Sequence, residues 1–317
     1  MDASYSKVIQ HTLHPFYAHL PCQKAQNKLV FEQEETLKME YFKITERIYL
    51  SFNDFYLDTI PSGGTMHHFR FVFNYAFHGI CELMTRGNNF VYLKSGQILL
   101  SKEQPDNQVF FPNGNYAGFE IYVLKEPLPQ AAWIDEAIEI IEKRFLTEHH
   151  TFISNKLDLL QHPIALLRTQ FEKDHQDLPL IQLAVLSILR ILASDDIHLP
   201  YQTASAFTST QVQIAKRTAA LLTENLSQRI AIKTIADTFH ISETTLKNYF
   251  RGVYGKNIST YLRDRRIEQA KQFLEQKNHS ILEIANQVGY QNQSKFAAVF
   301  QKETGYTPKE YRSLCKG

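Results

Sequence analysis

Residues 232–261 read IKTIADTFHISETTLKNYFRGVYGKNISTY, and residues 281–311 read ILEIANQVGYQNQSKFAAVFQKETGYTPKEY. The two stretches are one pattern written twice. Ile235-Ala236 is followed by Phe239, Leu246, Phe250, Gly255 and Tyr261; Ile284-Ala285 is followed by Val288, Phe296, Phe300, Gly305 and Tyr311. The offset is 49 residues before the central turn and 50 after it, so the second copy carries one inserted residue. Each copy predicts a short helix, a tight turn and a second helix. Ala236 and Ala285 are small where two helices must approach, and Leu246/Phe250 and Phe296/Phe300, at i and i+4, form the buried stripe of each second helix. The opposite face of that helix is then free to enter a DNA major groove, the helix-turn-helix geometry.

Outward from the repeat, a charged stretch from about Ile258 to Glu275 joins the copies and predicts one long helix. Eighteen helical residues span ~27 Å, enough to hold the two reading helices near one helical repeat of DNA apart, ~34 Å. A further helix is expected from about Gln211 to Leu226, Ser242 is placed as a helix cap, and Pro308 suits the first position of a last short helix. Residues 211–317 hold 17 Lys+Arg against 9 Asp+Glu, a net of +8; residues 1–210 hold 17 against 24, a net of −7. The whole-chain charge of +1 therefore hides a basic, polyanion-binding module beside an acidic one.

Upstream, residues from about 40 to 124 read as strands. Phe69, Phe71, Phe73, Tyr75 and Phe77 recur at every second position, the period of a strand with one aromatic face. Turn signals at 86–89, 94–97 and 112–115 separate short strand-like runs at Phe90–Leu93, Ile98–Ser101, Val109–Phe111 and Gly118–Val123. Many short strands at this spacing predict a sandwich or a small cupin-like barrel. Of the 39 aromatic residues, 22 fall in the first 130, so this interior is rich in rings. After Pro127–Pro129 the pattern turns helical, over 132–146, about 155–172 and 178–193. The last helix is apolar on nearly every side. Residues 194–210 are small and polar without periodicity, and read as a linker.

Several classes are disfavoured. Cys22, Cys81 and Cys315 are odd in number, far apart and form no CxxC pair, which suggests neither a disulfide framework nor a zinc site. The same scattering argues against DNA repair through a zinc-bound cysteine, and the PSGGT stretch lacks the lysine of a phosphate-binding loop. His67-His68 would point to opposite faces of a strand, so no metal is expected. The first residues lack the basic-then-apolar plan of a signal peptide, and the run from Leu178 to Ala193 is short for a membrane span; a cytoplasmic protein is expected.

The second copy, with Gly289-Tyr290, Asn292, Ser294, Phe296, Phe300, Gly305, Thr307-Pro308 and Tyr311-Arg312, closely resembles the AraC/XylS family of bacterial transcription regulators. Leu246, Phe250, Gly255, Tyr261, Arg266-Ile267 and Ala270 of the first copy and connector fit the same family. The resemblance covers residues 211–315; Ala298 departs from it, standing where a long polar side chain is frequent. Residues 77–82, 92–96 and 111–121 resemble, more loosely, the branch containing the pyochelin and yersiniabactin regulators, whose amino-terminal domain senses a small molecule.

Exposed positions early in each second helix are the candidate DNA contacts: Thr244, Thr245, Lys247, Asn248 and Arg251 in the first, Gln293, Ser294 and Lys295 in the second. Asn and Gln can pair with adenine, Lys with guanine, and a Thr methyl can meet thymine; the bland alternative is that any of them touches phosphate or water only. Arg251, Arg263, Arg265, Lys302 and Arg312 are read as phosphate or salt-bridge residues. For a ligand the candidates are Arg70, Phe71, Phe73, Tyr75, His78 and Tyr92, against the alternative that the aromatic row is plain barrel core. For a dimer interface they are Leu183, Leu186 and Ile191.

The sequence thus predicts an α+β chain with four parts. Residues 1–130 form a cupin-like β-barrel effector domain, 131–193 a helical dimerisation and linking region, 194–210 a linker, and 211–317 an all-α DNA-binding domain with two helix-turn-helix motifs joined by a long helix. The expected function is a sequence-specific transcription regulator, an activator, controlled by a small-molecule effector; the alternative is control by a protein partner or by abundance. No enzymatic activity and no cofactor are expected. The expected partners are double-stranded DNA, RNA polymerase and a second copy of the chain.

Overall fold

The computed structural model describes residues 22–24, 28–61, 68–85, 89–102, 108–126, 130–147, 151–197, 199, 206–228, 230–276 and 279–315. The chain divides into two units, Met1–Thr208 and Ser209–Gly317. The first is a curled antiparallel sheet with helices on one face. Its strands are β1 (Cys22–Lys24), β2 (Lys28–Gln33), β3 (Leu37–Lys43), β4 (Ile48–Phe55), β5 (Thr59–Pro61), β6 (Phe69–Thr85), β7 (Asn89–Lys94), β8 (Ile98–Ser101), β9 (Gln108–Phe110), β10 (Tyr116–Leu124), β11 (Thr151–Ser154) and β12 (Phe207–Thr208). The main order is β1-β2-β3-β4-β10-β6-β7-β12, with β8 and β9 also pairing the long β6. Helices α1 (Ala132–Phe145), α2 (Gln161–Phe171) and α3 (Leu178–Leu192) complete the unit.

Two apolar clusters separate the faces of the sheet. The inner one draws on both ends of the strand order, from Phe31 and Met39 to Val91 and Leu93, so the sheet wraps around it. The outer one joins Leu50, Phe52, Phe71, Phe73, Phe119 and Ile121 to Ile134, Ile138, Ile164, Leu167, Ile181 and Ile188 of the three helices. The aromatic row of β6 therefore belongs mainly to the sheet–helix core. The alternation that would put all five rings on one face breaks at Arg70: Val123 pairs with Phe71 but Leu124 with Phe69, a bulge that leaves Arg70 as the extra residue. Phe69 turns inward against Tyr122 at 5.4 Å, while Phe71, Phe73, Tyr75 and Phe77 face the helices.

Helix α3 buries most of its apolar surface within its own unit. Ile181, Ala184, Val185, Ile188, Leu189 and Leu192 are buried among sheet and helices, and Leu183 alone of the three interface candidates is well exposed, at 59%. The end of the expected linker is structured: Phe207 and Thr208 pair with Phe90 and Asn89 of β7, and Phe207 lies 5.9 Å from the Tyr92 ring. Residues 198 and 200–205 of that linker lie outside the described residues.

The second unit is helical: α4 (Ser209–Glu224), α5 (Ile232–Thr238), α6 (Glu243–Tyr254), α7 (Ile258–Glu275), α8 (Ile281–Gln287), α9 (Gln293–Thr304) and α10 (Pro308–Leu314). Helix α7 serves both halves. Tyr261 packs edge-on to Phe250 at 5.2 Å, whereas Ile267, Ala270 and Leu274 enter the core built on Ile284, Val288, Phe296 and Phe300. No helix among the described residues is long and apolar enough to cross a membrane.

Candidate nucleic-acid interface

The repeat seen in the sequence is a repeat of backbone geometry. In the first pair the chain leaves α5 through His240 at φ 53, and Ile241 N–H donates to Ala236 O at 3.1 Å. In the second it leaves α8 through Gly289 at φ 81, and Tyr290 N–H donates to Ala285 O at 2.8 Å. These equivalent bonds lie 49 residues apart, and they are the six-to-one bonds that end a helix on a left-handed residue. The next helices begin at caps 50 residues apart: Ser242 Oγ accepts from Thr245 N, and Asn292 Oδ1 accepts from Lys295 N. The insertion is therefore confined to the turn, between Tyr290 and Asn292. Both helices end alike, on Gly255 at φ 69 and Gly305 at φ 81.

Gly289 is required by its surroundings as well as its φ. A Cβ there would stand 2.4 Å from Leu226 O and 2.6 Å from Arg266 Nη2. Arg266 of α7 donates to Leu226 O (3.0 Å) and Gln228 O (3.3 Å) and lies over the Tyr290 ring at 5.7 Å. One side chain thus ties the end of α4, the connector and the second turn together. Sequence spacing alone did not reveal this joint, although the resemblance included the residue. Arg263 pairs with Glu303 at 3.0 Å and Arg312 donates to His279 O at 2.7 Å, so both are occupied within the unit.

Thr244, Lys247, Asn248 and Arg251 are exposed along one stripe of α6, at spacings of three and four, opposite the buried Leu246, Phe250 and Val253. Thr245 is half-buried and its hydroxyl sits 2.8 Å from Ser242 Oγ, which engages it in the cap. Lys247 reaches back to Glu243 at 3.0 Å. On α9, Gln293, Ser294 and Lys295 are exposed at the amino end. At the 50-residue offset, Lys247, Asn248 and Arg251 correspond to Ala297, Ala298 and Gln301. The first stripe offers cationic and amide groups; the second offers two methyl groups and the single amide of Gln301.

The six ligand candidates are not brought together. Phe71, Phe73 and Tyr75 are buried beneath the helices, with Phe73 and Tyr75 at 5.9 and 5.6 Å from Phe119, because the sheet turns that face outward to the helical layer. Arg70 Nε donates to Glu142 Oε2 at 2.6 Å, and Lys102 pairs with the same carboxylate at 2.6 Å. Burial alone would raise the Glu142 carboxyl, but the hydrogen bonds from Lys102 and Arg70 hold it below its ordinary value. His78 is exposed, and Tyr92 donates to Glu82 Oε2 at 2.7 Å. His67 lies outside the described residues, and among those described no group of three or more His, Cys, Asp or Glu could hold a metal ion.

What the inner face does present is a polar row that sequence reading passed over. Cross-strand register sets Tyr41, Ser51, Glu120 and Asn74 side by side on β3, β4, β10 and β6. The available signal was one acidic residue inside the otherwise apolar stretch YAGFEIYVL of β10.

Comparison with known proteins bears on both units. Residues 235–313 match the family described as a helix-turn-helix domain. The HTH-type transcriptional regulator YfiF of Bacillus subtilis is 28% identical over 268 residues, covering 80% of this chain and 82% of that protein. The HTH-type transcriptional activator RhaR of Yersinia pseudotuberculosis is 41% identical over 81 residues, 25% of this chain and only 28% of that protein. Among solved structures, the C-terminal domain of AraT, a response regulator from Geobacillus stearothermophilus, is 27% identical, covering 32% of this chain and 84% of that one with a TM-score of 0.31.

Proposed function

We start from the chain's membership of the AraC/XylS family of DNA-binding transcription regulators and propose that it reads DNA through two helix-turn-helix units in tandem. Helices α6 and α9 enter successive major grooves. The carrying observation is the exposed stripe Thr244, Lys247, Asn248 and Arg251, set opposite a buried stripe on a helix capped at both ends. Because Ala297 and Ala298 replace a lysine and an asparagine, α6 supplies the base discrimination. Gln293, Ser294 and Lys295 at the start of α9 fix register and contact the backbone. Residues 211–317, at net +8, provide the salt-sensitive share of the affinity.

The curled sheet, which we read as a cupin-like barrel, regulates this activity by holding a small molecule on its inner face. The aromatic row under the helices has no part in that site. A homodimer forms along the remaining apolar stripe of α3, Leu180, Leu183, Leu186 and Ile191, as two copies of one surface. The regulated step is activation of RNA polymerase, and the protein works in the cytoplasm.

The test begins with duplexes selected from random sequence by the intact chain. A shared motif, bound at least ~1,000-fold tighter than random duplex at physiological salt, is the expected outcome. Selection that yields no motif would overturn the reading.

A further inference from the structure

Every residue of β10 is buried except Glu120, although β10 pairs along its length with β4 on one side and β6 on the other. Its side chain lies on the inner side of the sheet, the side of Tyr116 and Tyr122, and keeps partial exposure there. Its neighbours in register are the short side chains of Ser51 and Asn74; in the next row, beside Ala76, the Tyr116 hydroxyl fills the space over Gly118, where a Cβ would stand 2.7 Å from it. Tyr122 donates its hydroxyl to the Glu120 carboxylate, and the Asn53 amide faces the same group. Asn53 is only 2% exposed and its Oδ1 has no hydrogen-bond partner. Ser51 Oγ lies beside Tyr122 without reaching a hydrogen bond of ordinary geometry. Around this row stand the rings of Tyr41, Tyr122 and Phe69.

The charge is one-sided. The row holds neutral donors, the Ser51 and Tyr122 hydroxyls and the Asn53 amide, but among the described residues no Lys or Arg pairs with Glu120. Neutral donors leave its negative charge uncompensated, and a cation from outside the chain would match it. Aromatic walls add a surface suited to a cation or a flat ring.

We infer that the inner face of the sheet binds a small organic ammonium ion bearing a ring or short hydrocarbon body, with its N–H groups on Glu120 and Asn53 Oδ1. This rests on the reading above that the sheet holds a small molecule, and it specifies the class. Burial raises the Glu120 carboxyl above its ordinary value, with the Tyr122 and Asn53 hydrogen bonds opposing, and an ammonium ion beside it would favour the charged form.

The experiment is thermal melting of the full chain at neutral pH with three matched probes: benzylamine, benzyl alcohol and benzoate. Benzylamine should raise the transition of the first unit in a concentration-dependent way, with benzyl alcohol weaker and benzoate inert. Glu120→Gln should weaken benzylamine by on the order of ten-fold or more, the loss of a charge-assisted bond. Asn53→Ala keeps the carboxylate and should weaken benzylamine to a lesser degree, and it decides the matter if Glu120→Gln does not fold. Stabilisation by benzoate or benzyl alcohol that is the same in the wild type and both variants would overturn the ammonium class while leaving small-molecule control standing. No stabilisation by any probe would overturn the site itself.

Discussion

Lys247→Ala separates two ways in which α6 could meet DNA. In the free protein the ammonium is tied to Glu243 at 3.0 Å, one turn away, with both side chains about half exposed. An exposed i,i+4 pair of this kind is worth ~0.3–0.5 kcal/mol, so it yields readily to a better partner. A lysine on guanine contributes ~1–3 kcal/mol of discrimination; after subtracting the lost helix pair, the substitution should cost about 0.5–2.7 kcal/mol, or about 2- to 85-fold in affinity. Glu243→Ala releases the same lysine and should tighten binding about two-fold. The assay is fluorescence anisotropy of the full chain on its selected duplex and on random duplex, across a salt series. If Lys247 reads a base, the loss is confined to the selected duplex and the Glu243→Ala gain disappears in the double variant. If it touches phosphate, both duplexes weaken alike and the salt slope falls by ~0.9. Unchanged affinity on both would refute the placement of this face against DNA.

Three further outcomes follow from the same structure. Gly289→Ala and Gly305→Ala impose the same left-handed strain, ~1–2 kcal/mol, but only the first adds a Cβ 2.4 Å from a backbone oxygen; hydrogen exchange at α8 and α9 should show a loss of about 2–5 kcal/mol for Gly289→Ala, with overpacking included, and equal losses would remove the close-approach account. Leu183→Glu should give a monomer by light scattering that still unfolds cooperatively, since the side chain is 59% exposed within its own chain, with a melting temperature lowered by no more than the lost association; a wild type already monomeric at micromolar concentration would sink the α3 interface. Glu120→Gln should stabilise the ligand-free protein at neutral pH. A carboxyl raised by burial favours its protonated form in the folded state, so its contribution falls as pH climbs from 4.5, the reference carboxyl value, through its higher folded value. A melting profile against pH that is the same in both proteins would contradict that account.

The helical unit was legible because its determinants are local. Helix caps, left-handed exits and i,i+4 ring pairs lie within one or two turns of the residues they organise, and each was written twice. Ser242 and Asn292 cap, Gly255 and Gly305 terminate, and the tyrosines at 261 and 311 meet Phe250 and Phe300 at 5.2 and 5.5 Å with nearly the same edge-on tilt. The Arg266 joint escaped because its partners, Leu226 O and Gln228 O, are backbone atoms some forty residues upstream, and backbone atoms carry no sequence signal.

The sheet was legible in outline and misread in its faces, for one physical reason. Period two reports that successive side chains alternate, but it does not say which side the helices will cover. The row Phe71, Phe73, Tyr75 suits a barrel interior and a sheet–helix interface equally well, since both are apolar and close-packed. Strand β10, buried at every residue but Glu120, shows where the distinction was written: in such a strand apolar residues are uninformative and the exception carries the message. Glu120 is that exception. Burial disfavours its charged form, and a glutamine or a leucine would avoid that cost. Keeping an acid there makes sense if the inner face is completed by a cation from outside the chain, which is what the amine titration measures.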